Sequence, residues 1–377
     1  MNIYRLQQKN LEIYLKKEKI IILYGARQVG KTTLIKKIIE NFQGKSFYYN
    51  GDLYNTRQFF DYKNTEGLIQ KLKKLDLIVI DEAQRIKNIG LILKILYDKN
   101  LNLKIIATGS SSFDLSNTIK ESLTGRKYEF NLYPLFLLET TKLHDPSSLE
   151  KNINHALRFG QYPEIFITET EEEKQKKLEE LTGSYLFKDI FEYQEIKKPA
   201  LLEQLLQLLA LQIGQEVSFQ ELSHKLRIDQ STVQKYIFLL ESAFVIFRLP
   251  AFSRNIRKEI VKSRKIYFYD LGIRNTLIQN WNSMHLRNDA GALWENFCIM
   301  ERFKYLHYKG KFANHYFWRT YDQKEIDLIE ESGGILKTYE FKWGKKKSSF
   351  PKIFQKNYPN SEFKVINPEN VIEFLGG

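Results

Sequence analysis

Residues Gly25–Thr33 read GARQVGKTT and lie between the apolar run KIIILY and the helical pattern LIKKIIE. The spacing G-x-x-x-x-G-K-T sets a glycine-rich turn at a strand-to-helix junction, which commits the N-terminal part of the chain to an α/β fold on a parallel sheet. Backbone N–H groups of such a turn, opening onto a helix N-terminus, form a concavity of positive partial charge that suits phosphate. The expected cradle is Gly25, Ala26, Arg27, Gln28, Val29, Gly30, Lys31, Thr32 and Thr33. In it Lys31 reaches the β and γ phosphates of ATP, the Thr32 hydroxyl ligates Mg2+, and Thr33 adds a backbone donor deeper in the site.

About fifty residues later LDLIVIDEAQRI is an apolar strand ending in Asp81 and Glu82. Acids at the C-terminal end of a sheet strand stand where phosphate ligands bind in open α/β sheets. Asp81 is expected to hold the Mg2+ shell and Glu82 to polarise the attacking water. The next strand, LKIIATGSSSF, ends at the same edge, where Thr108 or Ser110 either senses the γ-phosphate or caps the following helix. Arg126, in ESLTGRKYEFNLYPL, stands just before a strand; the competing reading is an ordinary surface arginine. Strands are expected at 19–24, 46–50, 76–81, 103–109 and 127–132.

Taken together, GARQVGKTT, IDEAQR, ATGSSS, SLTGRKYEF with YPLFLLE, FGQYPEIF, YLFKDI and IYFYDLGIRN resemble the AAA+ ATPases of an archaeal and bacterial family whose C-terminal half was labelled a domain of unknown function. The resemblance implies Thr108 to Ser110 as sensor and Arg126 as an arginine finger acting in trans, hence self-association into a ring. It further implies that the turn from Gly160 to Pro163 is a lid element near the adenine.

The 377 residues exceed one ordinary core. The segmentation expected is an ATPase core at 1–145, a helical lid at 146–215, a winged helix-turn-helix at 216–275 and a last α/β domain at 285–377. A polar N-terminus, no bilayer-length apolar run and a single cysteine, Cys298, point to a cytoplasmic protein without disulfides or a thiolate zinc site. A net charge of +13 favours a polyanionic partner, nucleic acid being the usual one, although abundant lysine is also what an AT-rich genome produces.

Placement argues for nucleic acid. In SFQELSHKLRIDQSTVQKYIFLLESAFVIFRL, Val233, Ile237 and Leu240 form an inward stripe, with Ser231 as N-cap, leaving Gln230, Thr232, Gln234 and Lys235 outward as a recognition face. Arg254, Arg257, Lys258, Lys262, Arg264 and Lys265 follow in a wing suited to phosphate. Modules of this kind also serve as protein-binding or lid elements.

Near the C-terminus, Gly333-Gly334 marks a two-residue hairpin in YFWRTYDQKEIDLIEESGGILKTYEFKWGKKK. Pairing Ser332 with Ile335 sets Asp327 opposite Glu340 and Glu325 opposite Lys342, all on one face. Directly opposed carboxylates repel unless a cation lies between them, and a divalent metal is one solution. The D…E-x-K pattern resembles the PD-(D/E)XK nuclease core. That resemblance assigns Glu295, Asp327 and Glu340 to Mg2+ and Lys342 to positioning or activating water, with Lys345, Lys346, Lys347 and Lys352 along a nucleic-acid backbone. The competing reading is a surface hairpin with ordinary salt pairs, Glu325 to Lys342 among them. The expected function is ATP hydrolysis coupled to a metal-dependent nuclease acting on DNA; the alternatives are a nucleotide-controlled oligomeric switch and a DNA-remodelling ATPase whose C-terminal domain binds without cleaving.

Overall fold

The computed structural model describes residues 3–109, 123–141, 146–185, 199–253, 264–320, 322–344 and 348–376. Ser110, the wing residues 254–263 and Lys345 to Lys347 lie outside them. The described residues divide into two compact units at Tyr133–Pro134, with Ser242–Phe244 grouping with the first.

In the first unit β1 (Ile20–Tyr24), β2 (Ser46–Asn50), β3 (Leu77–Asp81), β4 (Lys104–Gly109) and β5 (Lys127–Asn131) form a parallel sheet of order β2-β3-β4-β1-β5. Every residue of β1 and β3 is buried, as a strand covered on both faces requires, so these strands read as unbroken apolar runs. Helices α1 (Leu6–Tyr14), α2 (Lys31–Asn41), α3 (Tyr54–Phe59), α4 (Thr65–Leu72) and α5 (Ile89–Asp98) accompany the sheet. In α2 Leu34, Ile35 and Ile38 turn inward at helical spacing. Because β4 inserts between β1 and β3, its last residues stand between the loop after β1 and the acids after β3. All five strands expected from sequence are present.

The second unit opens with short helices: α6 (Leu137–Thr140), α7 (Pro146–Phe159), α8 (Pro163–Ile167), α9 (Glu171–Glu180) and α10 (Pro199–Leu211). Next come β6 (Glu216–Val217), α11 (Phe219–Leu226), α12 (Gln230–Ser242), β7 (Ile246–Pro250) and β8 (Arg264–Phe268), whose strands form an antiparallel sheet of order β6-β8-β7. Then follow α13 (Leu271–Leu277), α14 (Ala290–Tyr308), β9 (Asn314–Arg319), β10 (Glu325–Ser332), β11 (Ile335–Phe341), α15 (Lys352–Asn357), β12 (Glu362–Ile366) and α16 (Val371–Phe374). The four last strands make a mixed sheet of order β12-β11-β10-β9. Its apolar side gathers Phe252, Ile326, Ile329, Leu336 and Phe354.

The segments expected as lid, helix-turn-helix and last α/β domain group almost entirely in the second unit. A buried polar network binds its segments. Asp270 caps α13 by accepting the Ile273 N–H at 3.2 Å and accepts the Gln161 N–H at 2.6 Å. Asn275 donates to the carbonyls of Leu157 and Arg158. On α14, Lys304 donates to Leu135 O, Gln161 Oε1 and Glu301, while Glu301 accepts the Leu137 N–H. An ion pair this deeply buried holds together only when every remaining donor and acceptor is matched, as here. No described helix is long and apolar enough to cross a membrane.

Candidate functional sites

The loop after β1 is shaped by close approach. A Cβ on Gly25 would lie 2.3 Å from the Leu132 carbonyl oxygen, so no larger residue fits there. Gly30 takes a left-handed φ of 96° immediately before α2, a conformation open to glycine, and no Gly30 side chain caps the helix, which leaves its first N–H groups facing the loop. Lys31 folds back over that loop and donates to the carbonyls of Gly25 at 2.7 Å and Ala26 at 3.0 Å.

Asp81, buried at the end of β3, accepts three hydroxyl donors: Thr32 at 2.7 Å, Tyr48 at 2.7 Å, and Thr108. The Thr32 hydroxyl and the Asp81 carboxylate therefore converge, a pair of hard oxygen donors that suits Mg2+. Thr108, fully buried, also accepts the Glu82 N–H at 3.3 Å. Glu82 has a φ of 49°, uncommon for a residue with a side chain and of the kind that costs about 1–3 kcal/mol where the surroundings enforce it. The chain passes close to it: a Cβ on Gly51 would come within 2.3 Å of the Glu82 carbonyl oxygen, so only glycine fits at position 51. The Glu82 carboxylate accepts from Gln84 Nε2 at 2.6 Å. Of the expected set, Lys31, Thr32, Asp81, Glu82 and Thr108 are thus interlocked in one unit. Arg126 lies apart from this network, a third exposed and paired with Asp98 at 2.7 Å.

Sequence reasoning missed two residues of this site. Arg5, 5% exposed, donates to Val29 O at 2.7 Å and to Tyr133 O at 2.6 Å, bracing the phosphate loop from α1's approach. Tyr48 on β2 buttresses Asp81; burial first, then the bond to Asp81, hold its phenol protonated far above the usual range. A lone arginine and a strand tyrosine carry no motif, so only tertiary placement identifies them.

Gly160, expected beside the adenine, has its surroundings in the second unit. With φ of 76°, its ideal Cβ would lie 2.0 Å from Asp270 Oδ1, so glycine is needed there for packing against Asp270. Pro163 opens α8 at its first position, where the missing N–H is harmless.

In the C-terminal sheet the hairpin register is as the sequence suggests. Gly333 and Gly334 have φ of 58° and 79°, and pairs run from Ser332↔Ile335 to Leu328↔Tyr339, so one more step sets Asp327 opposite Glu340. The Phe341 N–H donates to Asp327 at 2.8 Å. Against β9 the ladder slips between Ile326 and Ile329, so that Asp327 and Leu328 together oppose Phe317. This bulge lets both isoleucines reach the core while Asp327 turns into a pocket.

The cation in that pocket is a lysine that sequence reasoning assigned elsewhere. Lys265 of β8, 1% exposed, pairs with Glu295 of α14 at 2.9 Å and with Glu325 of β10. Glu295 also accepts from Tyr267 at 2.5 Å, and Asn296 clamps Phe268 through both its N–H and its carbonyl, fixing β8 against α14. Burial works against the Lys265 charge, but Glu295, Asp327 and Glu325 outweigh it and hold the ammonium. Lys342 pairs with Glu340 at 2.6 Å. Burial, reinforced by Glu295 and Glu340, pushes the Asp327 carboxyl well above its ordinary range. One detail of the competing salt-pair reading and one expectation for the wing are therefore corrected. Glu325 pairs with Lys265, not Lys342, and Lys265 is buried inside the protein instead of facing a phosphate backbone. Among the described residues no group of three or more His, Cys, Asp or Glu side chains is placed to hold a metal ion, and the pocket's acids do not suit one while an ammonium lies among them.

In the helix-turn-helix stretch, Phe219, Leu222 and Leu226 face inward from α11, and Val233, Tyr236, Ile237 and Leu240 from α12. Gln230, Gln234 and Lys235 are exposed as expected, and Thr232 is half-buried. Helix α12 opens at Gln230, with the Asp229 carbonyl accepting from Thr232 and Val233, so Ser231 lies within the first turn and is not the N-cap. Of the basic residues assigned to the wing, Arg254, Arg257, Lys258 and Lys262 lie outside the described residues, and Arg264 stacks over the Phe219 ring at 4.3 Å.

Comparison with known proteins agrees with the first unit. Residues 17–141 match the family model described as an AAA domain, so this part of the chain has the P-loop AAA-type ATPase fold. Residues 150–284 and 290–374 match two families described as domains of unknown function, DUF8612 and DUF4143. An uncharacterised protein of Mycobacterium tuberculosis is 28% identical over 329 residues, covering 86% of this chain and 70% of its own length. One from Methanocaldococcus jannaschii is 26% identical over 314 residues, covering 78% and 68%. Among solved structures, a Walker-type ATPase of Pyrococcus abyssi superposes with a TM-score of 0.47 at 16% identity, covering 72% of this chain and 94% of its own.

Proposed function

We propose that the chain binds ATP with Mg2+ in the β1–α2 loop, hydrolyses it, and uses the nucleotide state to control a second unit that binds DNA without cutting it. The observation that carries the reading is the convergence of Lys31, Thr32, Asp81 and Thr108 at one sheet edge with Glu82 held in a strained conformation beside them. The loop and helix N–H groups bind the phosphates, and Lys31 exchanges its carbonyl partners for β and γ oxygens. Thr32 and Asp81 would hold Mg2+, which supplies charge neutralisation of the phosphates. Glu82 orients the attacking water, with Thr108 fixing the acid strand. Arg126 serves a neighbouring copy in a ring, and Gly160 and Pro163 contribute a lid element. Phosphate release by wild type, Lys31→Ala and Glu82→Gln tests the first part; turnover equal in all three would overturn it. For Arg126, mixing Arg126→Ala with Glu82→Gln subunits should restore part of the activity, and no rescue among freely exchanging subunits would exclude action in trans.

The strand order β6-β8-β7 flanking α11 and α12 supports the reading of this segment as a winged helix, and the exposed Gln230, Gln234 and Lys235 support DNA as its partner. Binding without cleavage is favoured over a nuclease by Lys265 among Glu295, Glu325 and Asp327. Incubation of duplex, single-stranded and supercoiled DNA with Mg2+ or Mn2+, with and without ATP, should give retained but intact DNA. Cleavage that disappears in Asp327→Ala would reinstate the nuclease.

A further inference from the structure

We propose that the resident cation of the carboxylate pocket between α14 and the β10–β11 hairpin is the Lys265 ammonium in place of a divalent metal, and that β8 thereby stoppers a nuclease-like site. The inference deepens the reading of the second unit as a binder that does not cut.

Three observations carry it. First, each acid of the pocket already has a partner from within the protein. Lys265 Nζ lies 2.9 Å from Glu295 and contacts Glu325; Asp327 accepts the Phe341 N–H at 2.8 Å, and Lys342 pairs with Glu340 at 2.6 Å. Second, Lys265 cannot swing aside by a rotamer change into solvent. It is 1% exposed, its backbone pairs with Leu249 on one side and Glu216 on the other, and Asn296 grips Phe268 three residues on. The Tyr267 hydroxyl also occupies the same Glu295 oxygen that Lys265 does.

Third, exchange is costly here. A divalent ion entering beside a buried ammonium meets repulsion. Displacing the ammonium leaves a desolvated charge without its partners, which is strongly unfavourable unless the strand itself withdraws. Glu295, Glu325, Asp327 and Glu340 are not placed to hold a metal ion, and each takes a nitrogen partner instead: Lys265 for Glu295 and Glu325, the Phe341 N–H for Asp327 and Lys342 for Glu340. Since β8 belongs to the same three-stranded sheet as the helix-turn-helix segment, displacement of that sheet is the movement that would free the acids.

Mn2+ binding to the nucleotide-free full chain, followed by electron paramagnetic resonance, tests this without reference to DNA cleavage or ATP turnover, so its failure would leave the nucleotide reading standing. Wild type is expected to have no Mn2+ site sensitive to Asp327→Asn. Lys265→Met, which keeps the aliphatic stem, is expected to gain one site, at least ~10-fold tighter than any Asp327-dependent binding in wild type. The double variant Lys265→Met with Asp327→Asn is expected to lose it. A wild-type site abolished by Asp327→Asn would overturn the proposal. So would a Lys265→Met protein with wild-type circular dichroism and ATP turnover that gains no site.

Discussion

The phosphate loop of the first unit and the carboxylate pocket of the second are both places where charged residues converge at the end of a sheet, yet they are partnered differently. Asp81 is met by the three hydroxyls of Thr32, Tyr48 and Thr108, and Lys31 lies on the carbonyls of its own loop. In the second unit the carboxylates are met by ammonium groups, one of them fully buried. Hydroxyls and carbonyls are dipoles that a Mg2+ ion or a phosphate can replace with little electrostatic penalty. A buried ion pair has to be broken, and one partner stranded, before anything else can enter. Residue types at the right spacing are therefore enough to suggest chemistry, while the nature of their partners decides whether the chemistry is available.

This difference predicts which variants injure folding and which injure turnover. Lys265→Ala, which strands the pocket's carboxylates, should lower unfolding free energy by about 3–5 kcal/mol while sparing ATP turnover of the folded fraction; urea unfolding beside phosphate release checks both. Lys31→Ala and Glu82→Gln should do the reverse, reducing turnover by roughly 10²–10³-fold with little change in the unfolding midpoint. If Lys265→Ala proved harmless to stability, the contrast between the two sites would collapse.

A smaller effect is expected at His155, whose ring is pushed down to about 4 by burial and by Lys174 nearby. A folded pKa below the unfolded value of about 6.5 means that the unfolded chain takes up the proton first, so stability should fall as pH drops from about 6.5 to about 4, by up to roughly 3 kcal/mol. His155→Phe should flatten that slope in melts across the range. Smallest is Tyr48→Phe, which removes one of three donors to Asp81 and should cost about 1 kcal/mol with a modest loss of ATP turnover. A change in turnover as large as that of Glu82→Gln would make Tyr48 part of the reaction instead of a support.

Much of the first unit is legible in the sequence because its constraints are local. Gly25, Gly30, Lys31 and Thr32 sit within one turn, and the apolar strands 19–24 and 76–81 are buried on both faces, so their hydrophobicity is continuous. The hairpin register is equally local, since two adjacent glycines with positive φ fix it. The pocket's counter-ion is not local: Lys265 lies sixty-two residues before Asp327, in a run of basic residues where nothing in spacing separates a buried lysine from an exposed one.

The sequence by itself determined a P-loop α/β unit with its phosphate cradle and acid strand, and a glycine hairpin that sets Asp327 against Glu340, because turn geometry and strand burial act over a few residues. Only the tertiary structure decided that Tyr48 and Arg5 support the first site and that Lys265 fills the second. Those contacts depend on which strands lie side by side, and a charge in a folded protein is defined by what surrounds it in space.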